Sequence, residues 1–509
     1  MKAYKSILFI FALFAFFSCF KDESTDAINP ISEITIDESN LEKVYNISKN
    51  DTLRITPKVT QTDDELQLSY AWELNQEIVS TEKTFCYVGK TLGTFNGRLI
   101  VENEDGKAFY IFTLNVNSAY EYGITVLSKD ADNRPHIAFM QDPMTEGDST
   151  KFYEENCLEK NNREQFFSSN PSDMIQTTGS LIIACQGDET KTDDEPTIYF
   201  LNEKTFVMEN LVVGSEYESF KPTKLLIPYY NSFGISYPVL SADGKMYSLP
   251  TSNAVLQPST QFTSTYAQTA FVKSVSASSC DIIAWDNDIN GLLVLYNGYG
   301  PYYCGQKYLL QRDSVLTDTY YKQYFESLKA VRTLTCINKT AKQLSQSRSE
   351  LIAIVQAPLQ LQKAIISTFF WRRIEGTVSS YEVLDNGKGF SKVGSRSYSL
   401  INENTPCIAN ATYETMLFAN GNKIMRWYYN KDNHYLEDAD ELLTVGSDDA
   451  IITSFEISDD HMKTYVAFYE PNQEGKNGSV WVFETNTGKV LEQYDNVCYQ
   501  PVKMIYKKK

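Results

Sequence analysis

Asp286-Asn287-Asp288-Ile289-Asn290-Gly291 places side-chain oxygens at alternate positions and ends on a glycine. That spacing fits the first half of a calcium loop, where oxygens at positions one, three and five converge on a hard cation and the glycine bends the chain. Asp286, Asp288 and Asn290 are the candidate metal ligands, and calcium the candidate cofactor. The twelfth position is Asn297 instead of a bidentate glutamate, and strand-like runs flank the loop. A hairpin turn that selects Asp, Asn and Gly for backbone reasons produces the same letters. Just beyond it comes Asn297-Gly298-Tyr299-Gly300-Pro301-Tyr302-Tyr303, a stretch of loop composition. Exposed aromatic rings suit the faces of sugars and the backbones of peptides alike, so Tyr299, Tyr302 and Tyr303 are the candidate ligand-binding residues. Other aromatic clusters stand at Tyr229-Tyr230 with Phe233, at Tyr296, and at Trp427-Tyr428-Tyr429. With 34 tyrosines in the chain, most are expected to pack within the fold.

A catalytic set does not emerge. There are three histidines, His136, His434 and His461, and the first lies in a strand-like run. No Gly-x-Ser-x-Gly elbow, His-Glu-x-x-His helix or phosphate-cradling glycine loop is present. Paired carboxylates for glycoside cleavage remain open, because 65 acidic residues make close pairs inevitable and none can be singled out. Cysteines 86, 157, 185, 280, 304, 336, 407 and 498 are scattered singly, with no metal-like spacing, and are expected as buried small hydrophobes. A net charge of -19 repels phosphate backbones and sets nucleic acid aside as a partner.

Lys2 and Lys5 precede an apolar stretch at 7–17, about half the length a bilayer span needs. Ser18 and Cys19 follow it. This is the layout of a secretory signal, and a cysteine at the cleavage point is what a lipoprotein signal requires, since its thiol takes the lipid. Residues 1–18 are thus expected as a signal peptide, Cys19 as the lipidation site and 19–32 as a polar tether. Lys21-Asp22-Glu23 resembles the acidic export tag of Bacteroidota lipoproteins, which implies an outer-membrane protein facing the cell exterior. More than one acyl chain suffices for stable anchoring.

Residues 33–118 read as about seven short strands. Ile34 and Ile36, Leu53 and Ile55, and Tyr70, Trp72 and Leu74 alternate with other residues, as half-buried strands do. Glu104-Asp105-Gly106-Lys107 is a hairpin turn. The pattern suits an immunoglobulin-like sandwich with Trp72 in its core. Ser69-Tyr70-Ala71-Trp72, Leu92-Gly93-Thr94-Phe95 and Val101-Glu102-Asn103-Glu104-Asp105-Gly106 are similar to the PKD-like domains of Bacteroidota lipoproteins. Phe95 stands where that family more often has Tyr, and its acidic-glycine turn after the Trp strand is absent. The resemblance implies a spacer or interaction module, and a neighbouring outer-membrane importer of the starch-utilisation type as partner.

Residues 119–509 repeat an apolar strand, a polar turn and a second apolar strand, with turns near 132, 190, 243, 290, 358, 420 and 476. Gaps of about 50 to 70 residues suit one four-stranded sheet per repeat, hence a seven-bladed β-propeller in an all-β chain. A C-terminal strand near 502–506 is expected to complete a sheet begun near 119. Two stacked sandwiches are the alternative. Tyr321, Tyr324, Phe325, Leu328 and Val331 recur at helical spacing and predict a helix over 318–331. Residues 151–166 are expected as a second, polar insertion.

The function expected is a non-catalytic cell-surface lipoprotein that binds glycan or peptide nutrient beside its importer. The alternatives are a propeller-type glycoside hydrolase or lyase, and an adhesive protein that binds other proteins.

Overall fold

The structure, a computed structural model, describes residues 31–507 except 50, 119, 122, 142–152, 227–228, 232–233, 251–254, 259–264, 274–279, 287–290, 298–303, 310–328, 338–347, 357–361, 374–380, 386–400, 402–403, 411, 429–430, 432–437 and 459, with only the backbone path at 229–236, 250 and 266–385. Strand accounts for 57% of the chain and helix for 3%, so the protein is all-β. It divides into two compact units, one ending at Ala119 and one beginning at Tyr120.

The first unit contains β1 (Ile34–Asp37), β2 (Val44–Ser48), β3 (Thr52–Ile55), β4 (Lys58–Gln61) and β5 (Ser69–Leu74). It continues with β6 (Glu77–Ser80), β7 (Phe85–Val88), β8 (Gly93–Glu102) and β9 (Lys107–Asn117). One sheet has the order β2-β9-β8-β5-β6, with β2 parallel to β9, and two short ladders pair β1 with β4 and β3 with β7. Period-two burial builds the core, as Tyr110, Phe112, Leu114 and Val116 of β9 all point inward. Trp72 is fully buried, stacks on Phe85 at 4.8 Å and donates its indole N–H to the Glu82 carbonyl at 2.9 Å. The Phe112 ring lies where a side chain at 97 would sit, 2.3 Å from an ideal Cβ, which explains Gly97. The expected hairpin is closed by Asn103, whose Oδ1 accepts from the backbone of Asp105 and Gly106. Ser32 is bound to that same turn, donating its N–H to Asp105 at 2.8 Å.

The second unit opens with β10 (Gly123–Lys129), β11 (Pro135–Gln141), β12 (Tyr153–Glu154) and a short helix α1 (Cys157–Asn161). The next sheet is β13 (Pro171–Thr177), β14 (Ser180–Cys185), β15 (Thr197–Asn202) and β16 (Met208–Val213). The third is β17 (Pro222–Leu225), β18 (Tyr229–Asn231), β19 (Gly234–Ser241), β20 (Met246–Pro250) and β21 (Gln257–Pro258). The fourth is β22 (Tyr266–Lys273), β23 (Cys280–Asp286), β24 (Gly291–Asn297) and β25 (Cys304–Leu309). The fifth is β26 (Lys329–Ile337), β27 (Arg348–Gln356), β28 (Gln362–Arg373) and β29 (Tyr381–Asp385). The sixth is β30 (Cys407–Asn410), β31 (Thr415–Asn420), β32 (Lys423–Tyr428) and β33 (Asp440–Thr444). The seventh is β34 (Ile451–Ile457), β35 (Lys463–Tyr469), β36 (Gly478–Glu484) and β37 (Val490–Cys498).

The last strand, β38 (Gln500–Lys507), belongs to none of its sequence neighbours. It runs antiparallel to β10, from Gly123 opposite Lys507 to Lys129 opposite Gln500, and gives the first sheet the order β12-β11-β10-β38. The first strands of successive sheets also pack on one another. β13 packs on β38 and β17, β22 on β26, β26 on β30, β30 on β34, and β34 on β38. Second strands among the described residues are buried on both faces. Leu181 to Cys185 of β14 are all fully buried, and so are Thr464 to Phe468 of β35.

Each of the seven expected hairpins is present, from β10–β11 to β35–β36. The expected helix at 318–331 fails at its end, since 329–331 open strand β26, with Lys329 opposite Gln356. The run 331–337 is rich in β-branched residues, which favour a pleated strand. Residues 318–328 lie outside the described residues. At 151–166 the structure has β12 and α1. Cys157, Cys185 and Cys498 are buried as expected, whereas Cys86 is exposed on the short ladder strand β7.

Candidate functional site

Of the candidate metal ligands, Asp286 closes strand β23, opposite Tyr266 on one side and Gly291 on the other. Asp288 and Asn290 lie outside the described residues, as do Tyr299, Tyr302, Tyr303 and Cys19. Asp286 and Gly291 pair at one end of the β23–β24 hairpin, while Asn297 and Cys304 pair at the opposite end of β24. The calcium-like segment and the tyrosine segment are therefore attached at opposite ends of β24. Among the described residues, no group of three or more His, Cys, Asp or Glu side chains is placed to hold a metal ion.

Each sheet of the second unit is a meander, so its first-to-second and third-to-fourth turns share one end and its second-to-third turn lies at the other. Bonds between sheets join like ends. At the first kind of end, Asn410 donates to the His461 carbonyl at 3.0 Å, linking the sixth and seventh sheets. Lys507 reaches the Glu203 carbonyl there, linking the first and second, and the Tyr237 hydroxyl donates to Thr177 at 3.4 Å, linking the second and third. At the other end, Lys476 pairs with Glu155 between the seventh and first sheets. The Asn170 N–H donates to the Asn133 carbonyl at 2.8 Å, and Lys221 pairs with Glu189 at 2.9 Å. Five of the seven sheets thus point the same way.

The first kind of end carries an aromatic patch that the sequence marked only in part. Tyr413, in the β30–β31 turn, donates its hydroxyl to the Met462 sulfur at 3.1 Å, and Met462 is 53% exposed. Met462 sits in the β34–β35 turn, and its carbonyl accepts the Thr485 N–H at 2.8 Å. Tyr428 ends β32 opposite Thr415, two residues from Tyr413, and both rings are half-buried. The Arg426 guanidinium lies 5.1 Å from the Tyr428 ring centroid and the Lys431 ammonium 6.0 Å. Arg426 is itself paired with Asp440. Thr412 and Glu414, beside Tyr413 in its turn, are exposed, as are Asn486, whose carbonyl accepts from Arg426, and Thr487 next to it.

A second concentration of chemistry lies around α1. His136, on β11, meets Asp130 through Nε2 at 3.1 Å and Glu159 of α1 through Nδ1, and its ring packs on Tyr499 at 4.5 Å. A neutral imidazole can donate to only one of two carboxylates, so this geometry calls for the doubly protonated ring. Burial by itself would lower its pKa, but Glu159 and then Asp130 outweigh burial and hold it above the ordinary value. Nearby, Tyr120 stacks on Phe206 at 4.6 Å and bonds to Glu154, and burial drives its hydroxyl pKa far up. Lys507 donates to the carbonyls of Tyr120 and Glu203 while buried to 1% exposure. Burial lowers its pKa to about 8, with Glu203 and Glu121 opposing. Perturbed groups mark active sites and structural seams alike. Cys157 and Lys507 are sealed from solvent and Asn162 ties α1 to the carbonyl of Phe206 at 2.8 Å. The cluster acts as a seam that fastens β38 and α1. No sequence signal foretold it, because Glu159 and Lys507 meet their partners only through the fold.

No family model matches the chain, and no curated protein matches it. Solved structures with similarity include a quinonprotein alcohol dehydrogenase-like protein from Bacteroides thetaiotaomicron, 12% identical with a TM-score of 0.44, covering 93% of this chain and 99% of that one. A candidate 6-phosphogluconolactonase from Bacteroides fragilis is 11% identical with a TM-score of 0.41, over 76% and 98% of the two chains. AztD from Citrobacter koseri is 9% identical with a TM-score of 0.36, over 80% and 94%.

Proposed function

We propose that the protein is a lipid-anchored surface lipoprotein of the outer membrane that captures glycan or peptide nutrient, without catalysis, for a neighbouring importer. In this reading Cys19 carries the lipid, residues 19–32 form the tether, the first unit is an immunoglobulin-like, PKD-like spacer, and the second is a closed seven-bladed propeller. The parallel β2–β9 pair at one edge of a five-stranded sheet, with Trp72 at its centre, supports the sandwich. The seven meanders, and a first sheet completed by the C-terminal β38, support the propeller. Such closure hides sheet edges.

The observation that carries the spacer-and-capture layout is where the chain meets the first unit. Ser32 is bound to the turn that precedes β9, while the chain leaves at Asn117, the far end of that 11-residue strand. At the rise of a strand those points stand about 35 Å apart. A unit joined at opposite ends extends a tether instead of folding it back. Fractionation of cells tests the anchor. Cys19→Ala should move the protein out of the membrane fraction or leave its signal uncleaved, and replacing Lys21, Asp22 and Glu23 with alanine should make it resistant to protease added to whole cells. An unchanged membrane fraction for Cys19→Ala refutes lipid anchoring.

A further inference from the structure

Several aromatic positions of the sequence fall at the same kind of sheet end in the second unit. Tyr229 and Tyr230 lie between the first and second long strands of the third sheet, on β18. Tyr296 lies next to the last residue of β24, and Tyr428 is the last residue of β32, both third strands. In each sheet this is the end with first-to-second and third-to-fourth turns. Tyr413 and Met462 share it, in first-to-second turns of the sixth and seventh sheets. The opposite end carries acidic turns instead, with Asp130 and Asp132, Asp188, Asp193 and Asp194, Asp243, and Glu470 and Glu474.

We propose that the aromatic end is the ligand face of the second unit and that it takes a glycan, with Tyr413 and Tyr428 as stacking rings and Met462 as the thioether between sheets. This rests on the capture reading above and deepens it. A sugar offers a C–H face that covers an aromatic ring and a rim of hydroxyls that need partners. Tyr413 and Tyr428 are half-buried, so each ring is held by its sheet while part of it meets water. The hydroxyl-to-sulfur bond from Tyr413 to Met462 fixes one ring across the join between sheets. Thr412, Glu414, Asn486 and Thr487 supply the rim of amide, hydroxyl and carboxylate groups. Rings of this kind also suit peptide backbones, and the hydroxyl, amide and carboxylate groups beside them are what favour a sugar, with its many hydroxyls, as the occupant.

The test uses residues 20–509 on a printed array of plant, microbial and mucin oligosaccharides, with a peptide array in parallel. Tyr413→Ala, Tyr428→Ala and the bulk-preserving Tyr428→Leu are compared with Asp448→Asn and Glu474→Gln at the acidic end, and Tm is measured for each. The expected result is glycan binding weakened at least severalfold by the tyrosine variants, at unchanged Tm for Tyr428→Leu, and unaltered by the acidic-end variants. Glycan binding that Tyr413→Ala and Tyr428→Leu leave intact overturns the assignment of the face but not the capture reading. Binding to peptides alone overturns the glycan assignment. Binding to neither array contradicts the capture reading itself.

Discussion

At the scale of single residues, His136 gives the sharpest prediction. Its pKa is raised in the folded protein, so its stabilising contribution is complete below the unfolded value of about 6.5 and is lost as pH rises through the folded one. One charge-assisted hydrogen bond to Asp130 and an ion pair with a half-exposed Glu159 suggest roughly 1–3 kcal/mol. His136→Gln should therefore lower the urea midpoint clearly at pH 5.5 and much less at pH 9. A deficit equal at both values would contradict the charged pairing. The calcium-like segment at 286–291 is a second case at this scale. Calcium at millimolar concentration should raise Tm, chelator should lower it, and Asp286→Asn should abolish the difference; no shift in the unaltered protein removes calcium from the account. Residue chemistry was only partly legible in the sequence. The lone His136 in a strand-like run carried no sign of Asp130 and Glu159, because two loops and a helix had to fold before the three met. Tyr413 and Met462, 49 residues apart, were equally hidden.

Among the elements, the strand pairs were the most legible. Second strands such as β14 and β35 are covered on both faces, and Leu181 to Cys185 spells this out as an unbroken apolar run. The expected helix at 318–331 was overextended at its C-terminal end, where Val331 falls at helical spacing yet 329–331 open β26. What local pattern does not encode is partnership between distant elements. β38 and β10 lie at opposite ends of the second unit's sequence yet pair over their full length, and Lys507 then bonds to Tyr120. Deleting 500–509 should uncover Val126 and Leu127 on β10 and abolish the cooperative unfolding transition of the second unit. A truncated protein that melts as the full one does would show that the β38–β10 pairing contributes little. In the first unit, Trp72→Ala should cost roughly 3–5 kcal/mol, as emptying a large aromatic site does. Chemical denaturation of residues 31–118 measures this directly, and a loss below about 1 kcal/mol would deny Trp72 its place at the core.

For the whole molecule, the proposed layout is a signal with Cys19, a polar tether, a unit entered and left at opposite ends of β9, and a second unit of seven sheets. Micromolar affinity is what such a tethered capture protein needs, since it must release its cargo. Three or four ring contacts of about 1–2 kcal/mol each, less the cost of ordering the ligand, cap the affinity at about micromolar. Calorimetric titration of residues 20–509 with the strongest oligosaccharide from the array, followed by mass spectrometry of that sugar after overnight incubation, tests the central claim most directly. Capture without catalysis predicts saturable binding with a micromolar Kd and a sugar recovered intact. Recovery of cleaved or eliminated products would make the protein an enzyme and contradict the account.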